Sequence, residues 1–268
     1  MIRRATAIGF SRQAVPGRTQ PLRVTILTED GAELEAVMKI STGIELGTEA
    51  LMNEMLGSLL AADVGLAVQE PFFVQLSAEF CESIPFPATQ ARLTSSCPLA
   101  FACLDAGKQW RGWNATDRIS PAQEAAAVAI MAFDAFTGNS DRRPGNPNLL
   151  VKDQGWRLID HENGFSYRLR LFPRCQPWVV GNLAGMIAPG SPGEHIFASH
   201  LIGRETLSFA QIKANWLALS DARLAQYDAI LPAEWDATRP HLLEALDHIR
   251  RVREAVDPCL TELQRILS

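Results

Sequence analysis

The sequence predicts an α+β chain of two lobes, a small β-rich N-terminal lobe with one main helix and a larger α-rich C-terminal lobe. Three observations lead there. Apolar residues alternate with period two only within the first hundred or so positions. From Ser120 onward, apolar residues recur at three and four. A short hairpin pattern near residue 150 interrupts the helical half, with acidic loops around it. The division falls at 1–107 and 108–268, and 268 residues suffice for two such units around a cleft.

The first elements are a strand at 23–28, a turn at Glu29, Asp30 and Gly31, and a second strand at 35–40 that carries Lys39. Thr48 is placed to cap a helix in which Leu51, Met52, Met55, Leu56, Leu59 and Leu60 share a face, ending at the Gly65 turn. Strands follow at 72–76 and 99–104. The Pro- and Ser-rich stretch 79–97 shows little periodicity and reads as an irregular, poorly packed connection, and 108–116 reads as the link between lobes.

Ser120, Pro121 and Gln123 form a capping box at the head of an Ala-rich helix, 121–137, which Gly138 stops. Strands at 149–152 and 156–160, joined by Asp153, Gln154 and Gly155, make the second hairpin, and helices are expected at 209–219, 222–231, 239–256 and 260–267.

Composition removes several classes of function. A net charge of -5 gives no global basic field for a polyanion, and no helix-turn-helix is evident, so direct nucleic-acid binding is not expected. No stretch approaches the roughly 20 apolar residues that span a bilayer, and the basic start lacks an apolar signal region. A cytoplasmic location is expected. The five cysteines, Cys81, Cys97, Cys103, Cys175 and Cys259, are odd in number and contain no CxxC pair, so reduced thiols are expected. His195 and His200 stand five apart, off the helical rows that make metal sites, and read as structural or substrate-lobe residues.

The chemistry concentrates in residues 139–163. Asp141 and Asn146 stand five apart, and Asp160 ends the second strand of the hairpin. Phosphoryl transfer needs a cation on the phosphates, oxygen ligands for magnesium and a carboxylate facing the attacking hydroxyl. Asp141 suits the base, and Asn146 and Asp160 suit the metal. Lys39, in Val37-Met38-Lys39-Ile40, fits a strand lysine that clamps phosphates, with a helix glutamate as its partner. Glu54 borders the apolar stripe and Glu49 lies nearer its far side; periodicity leaves the choice open.

The motifs Val37-Met38-Lys39, Asn53-Glu54, Gly65-Leu66-Ala67-Val68 with Glu70-Pro71, Gly138-Asn139-Ser140-Asp141-Arg142, Asn146-Pro147-Asn148-Leu149-Leu150 and Leu158-Ile159-Asp160-His161 together resemble the HipA-like kinases, in particular their short standalone branch. The resemblance runs from about Gly17 to Trp235. It implies a protein-kinase-like fold, ATP and magnesium, transfer of the γ-phosphate to a protein Ser or Thr hydroxyl or to the kinase itself, and a protein substrate or regulatory partner. It makes Asp141 the base, Asn146 and Asp160 the metal ligands, Lys39 the phosphate clamp and Glu54 its partner. Adenine would hang on backbone groups of 101–104, Ala102 and Leu104 among them. No Gly-x-Gly-x-x-Gly is present, so the loop 15–21 would contact phosphate through Gly17, Arg18 or local amides. Asp160-His161-Glu162 stands where many kinases have Asp-Phe-Gly.

Two other readings share these residues. A small-molecule phosphotransferase of the aminoglycoside or choline kinase type would line an acceptor pocket with Trp178, Glu194, Trp216 or Trp235, whose competing role is core packing for the tryptophans. A catalytically silent nucleotide-binding module has no use for four such side chains in one cleft. The sequence leaves the oligomeric state open.

Overall fold

A computed structural model describes residues 2–13, 20–165 and 176–268. Gly17, Arg18 and Cys175 lie outside the described residues. The mixed α+β class holds, with one addition: five strands close into a barrel in the order β1-β2-β3-β5-β4. These are β1 (Arg3–Gln13), β2 (Leu22–Thr28), β3 (Glu33–Lys39), β4 (Pro71–Gln75) and β5 (Leu99–Leu104).

The strand that closes the barrel was not expected from the sequence. β1 runs antiparallel to β2, and its first residues, from Arg3 to Thr6, pair in parallel with those from Phe72 to Gln75 in β4. Register shifts between Ala7 and Gly9 and between Phe10 and Arg12 bend the strand enough to serve both neighbours. Its inward positions, Ala5 and Ala7, are too small to signal a strand by hydropathy.

In β2 and β3 the expected alternation is present. Leu22, Val24, Ile26, Ala36 and Met38 are fully buried inside the barrel. Lys39 follows Met38 and therefore leaves the barrel on its outer face. The stretch 79–97 is not irregular. It forms α2 (Ala78–Glu82), capped where Phe80 N–H donates to Ser77 Oγ at 3.1 Å, and α3 (Pro87–Thr94). Phe80, Cys81, Ile84 and Leu93 of this stretch belong to the barrel core. Helices of one and two turns carry too little periodicity to be read from spacing.

Helix α1 (Thr48–Asp63) starts one residue earlier than a Thr48 cap would place it. Gly47, at φ 56°, occupies the cap position, no side chain caps it, and Thr48 is the first helical residue. Every residue of α1 from Ala50 to Ala61 is buried. One side meets β5, and the other meets the 3₁₀ segment Ala233–Thr238 and a long helix from the C-terminal half. Its apolar residues join the larger core, which also holds Phe133, Phe136, Phe197, Trp216, Tyr227 and Trp235.

That contact is bolted along its length. Trp235 Nε1 donates to the Leu99 carbonyl at 3.0 Å and its ring meets Phe73 edge-on at 5.2 Å. Asp63, at the end of α1, pairs with Arg223 at 2.6 Å and accepts a hydrogen bond from Tyr227. Glu49, at its start, lies 3.3 Å from His241 Nε2.

The segment 108–116 is partly a strand. β6 (Arg111–Gly112) pairs with β7 (Leu149–Lys152), which pairs with β8 (Gly155–Leu158). Between β6 and β7 run a 3₁₀ turn (Pro121–Gln123) and α4 (Glu124–Thr137). The Ser120 amide donates to Gln123 Oε1 at 3.0 Å, and Gly138 ends α4 in the left-handed region at φ 72°. After the hairpin come α5 (Ala184–Ile187), α6 (Ala198–Leu201), α7 (Ala210–Leu217), α8 (Asp221–Ile230), α9 (Arg239–Glu254) and α10 (Val256–Leu267). No helix among the described residues is long and apolar enough to cross a membrane. Cys81, Cys97 and Cys103 are free thiols.

Candidate active site

β8 ends at Leu158, so Asp160 lies just beyond the strand, with φ +64°, a left-handed conformation that costs a non-glycine residue of order 1 kcal/mol or more. The turn carries its carboxylate to Lys39. The Lys39 ammonium donates to Asp160 Oδ1 and to Glu162 Oε2, both at 2.8 Å, and to Glu54 Oε1 of α1. This answers the choice left open above: Glu54 is the helix partner, and Glu49 points to His241 instead.

Main-chain bonds lock the same segment to α1. Glu162 N–H donates to Glu54 Oε1 at 3.1 Å, and Asn53 Nδ2 donates to the Glu162 carbonyl at 2.9 Å. Between them His161 is buried against Gly57, where an added Cβ would lie 2.4 Å from His161 Cβ. The glycine is what lets the two segments touch. Neither ring nitrogen of His161 has a hydrogen-bond partner among the described residues, and burial, with Arg142 next in size, pushes its pKa down to about 3.

Opposite charges share a largely buried pocket here. Burial depresses the Lys39 pKa, but Asp160, Glu54 and Glu162 outweigh it and hold the ammonium well above the ordinary lysine value. Burial raises Asp160 too, and Lys39 reverses that to a net lowering. Glu54 is raised by burial despite Lys39. Glu162 is raised to about 7, burial being the largest cause.

The second group lies on the loop after α4. Asn146 Nδ2 donates to Asp141 Oδ2 at 2.8 Å, and Asn163 Nδ2 donates to the same oxygen at 3.0 Å. Oδ2 is thus occupied by two amides, while among the described residues Oδ1 has only the exposed Arg143 guanidinium, 3.7 Å away. Asn139 Oδ1 receives the Asp141 amide at 3.1 Å and fixes the turn.

Beneath the loop is a fully buried ion pair. Arg142 Nε donates to Asp134 Oδ2 at 2.6 Å, and Arg142 also reaches the carbonyls of Asn148 and Ile159 on the two limbs of the hairpin. Asn139 Nδ2 donates to Asp134 Oδ1 at 3.0 Å, and His195 Nε2 lies 3.0 Å from Asp134 Oδ2. Because His195 Nδ1 accepts from Phe197 N–H, its proton sits on Nε2 and faces Asp134. Burial holds His195 below the usual histidine range. Burial would raise Asp134, but Arg142 and His195 hold it low.

The structure therefore brings Lys39, Glu54 and Asp160 into one cluster and Asp141 and Asn146 into another. Ala102 is fully buried and paired with both Met38 and Phe72, so it offers no edge to a base, and the Leu104 N–H is given to the Glu70 carbonyl. Trp216 and Trp235 are core residues, and Trp178 packs against His248. Glu162, Asn163, Asn53, Asp134 and Arg142 had no role assigned from sequence. The visible hint was a charged residue, Asp134, inside an apolar helix.

The donor set suits a hard divalent cation. With its amide nitrogen given to Asp141, Asn146 retains its oxygen, and carboxylate oxygens of Glu54, Asp160 and Glu162 lie within 4.8 Å of one another.

No curated protein sequence matches the chain significantly. Among solved structures the chain is similar to a Helicobacter pylori proinflammatory kinase, CtkA, with a TM-score of 0.50, 12% sequence identity and 100% of both chains covered. At that identity the likeness speaks for the fold, which is that of a kinase. The HipA-like kinase family matches residues 29–180, more than half of the sequence, and that span holds Lys39, Glu54, Asp141, Asn146 and Asp160: the chain belongs to the HipA-like kinases.

Proposed function

We propose that this chain is an ATP- and magnesium-dependent kinase that phosphorylates Ser or Thr hydroxyls of a protein, itself included. The observation that carries the reading is the Asp141 carboxylate, one oxygen pinned by Asn146 and Asn163 and the other, among the described residues, approached only by exposed Arg143 at 3.7 Å and so available to an incoming hydroxyl. A base needs that arrangement: fixed in direction, with one lone-pair edge open.

Asp141 Oδ1 orients the hydroxyl and accepts its proton. Lys39 holds the nucleotide phosphates, steadied by Glu54 from α1. Asn146 and Asp160 hold magnesium, which when bound supplies positive charge to the phosphate oxygens. The buried Asp134 and Arg142 pair keeps the Asp141 loop and the Asp160 hairpin in register, since Arg142 bonds both limbs of the hairpin. The burial of Trp216 and Trp235 removes two candidate walls for a small acceptor and favours a hydroxyl presented by a protein.

Incubating purified protein with γ-labelled ATP and magnesium tests the reading. Label should appear on the protein or on an added protein acceptor, and Asp141→Asn should slow its appearance by about 10²–10⁴-fold. Absence of label from the wild type and from every acceptor tried defeats the kinase reading. Label on an aminoglycoside or choline alone would transfer the assignment to small-molecule phosphotransfer.

A further inference from the structure

An ammonium has three N–H donors, and in Lys39 all three are taken by carboxylates of Glu54, Asp160 and Glu162. A lysine so saturated has no donor left for a phosphate. If Asp160 turns to magnesium, one donor is released, and its direction is then set by whatever holds the other two.

Glu54 is one holder, 3% exposed and itself fixed by the Glu162 amide. Glu162 is the other. Its main chain is tied to α1 on both sides, through Glu54 and Asn53, so its carboxylate starts from a fixed base. Among the described residues that carboxylate bonds Lys39 and nothing else, with 11% of the side chain exposed. With a single glutamate, both the place of Nζ and the rotation about Cε–Nζ would rest on one contact. Two carboxylates define a plane and leave the third N–H one direction.

We propose that Glu162 is a positioning residue for nucleotide binding, acting with Glu54 to orient Lys39 so that the N–H released by Asp160 points at the phosphates. The proposal rests on the kinase reading above. Structural and orienting duties are separable at this position, because the structural bonds are made by the main chain and survive truncation of the side chain.

The test measures Mg·ATP affinity by calorimetry, with KM, kcat and thermal unfolding, on the wild type, Glu162→Ala and Glu162→Gln. Glu162→Ala should weaken affinity and raise KM for Mg·ATP about tenfold, the effect of one charged hydrogen bond, with kcat and unfolding temperature close to wild type. Glu162→Gln keeps an acceptor oxygen at the same reach and should recover most of the affinity. In a Lys39→Met background, Glu162→Ala should have no further effect. Unchanged affinity in Glu162→Ala, no recovery by Gln, or full additivity with Lys39→Met overturns the proposal while leaving the kinase reading intact. A wild type that binds no Mg·ATP overturns both.

Discussion

Gly57→Ala tests whether the contact between α1 and residues 160–162 positions the site. Two effects oppose each other. Alanine is favoured over glycine inside a helix by about 1 kcal/mol, which predicts a more stable protein. The new methyl would lie 2.4 Å from His161 Cβ and 2.8 Å from its Cγ, whereas carbons in contact sit about 3.5–4.0 Å apart. The segments must part by roughly 1 Å, and forcing an extra methyl into a packed core costs about 1–3 kcal/mol. His161 cannot yield by turning its ring, because the nearest atom is its Cβ. The clash should win by about 1 kcal/mol, a fall in Tm of about 2–4 °C for a chain of this size. The same movement stretches the bonds from Asn53 to Glu162 and from Lys39 to Asp160, and a displacement of that size costs about 100-fold in rate. Thermal unfolding and kcat/KM on one preparation decide it. A variant with raised Tm and unaltered turnover refutes the reasoning.

Asp141→Asn should lower phosphoryl transfer by about 10²–10⁴-fold while calorimetric Mg·ATP binding stays intact; weakened binding with residual transfer would assign Asp141 to the nucleotide instead. Arg142→Met leaves Asp134 charged in the core and should destabilise by about 3–5 kcal/mol in urea unfolding, and adding Asp134→Leu should recover part of that loss; strict additivity of the two refutes the pairing. His195 is held below its unfolded pKa of 6.5, so its contribution to stability is present above pH 6.5 and lost as pH falls below it. His195→Gln, which keeps a donor for Asp134, should flatten the fall of Tm between pH 6.5 and 5, and an unchanged slope would exclude His195 as a source.

The hairpin of β2 and β3 was legible because Val24 and Ile26 face a core and their neighbours do not. β1 was not, because a barrel wall this crowded takes alanine at positions 5 and 7, and alanine marks no face. Short helices α2 and α3 fail for a related reason: five and eight residues are too few to show a stripe. In the site, Asp141 with Asn146 was suggested by their five-residue spacing, and Glu54 as the partner of Lys39 by the family resemblance where periodicity left Glu49 open; the structure places each pair in contact. Glu162 and Asn163 could not be found that way, since their direction depends on the left-handed turn at Asp160 and on the close approach at Gly57. Arg142 and Arg143 are adjacent loop arginines that the sequence does not tell apart; burial distinguishes Arg142 from exposed Arg143.

Helix α1 is gripped at its start by His241, along its side by the 3₁₀ segment Ala233–Thr238 and at its end by Arg223 and Tyr227. The glutamate that steadies Lys39 is therefore part of the same cooperative block as the large core. Heating should not produce a species that is folded but idle: inactivation and global melting ought to coincide, with a single enthalpy by both activity and calorimetry. For the same reason, substitutions far away on α8 or α9 that loosen the grip should lower the temperature of inactivation and the melting temperature by the same amount.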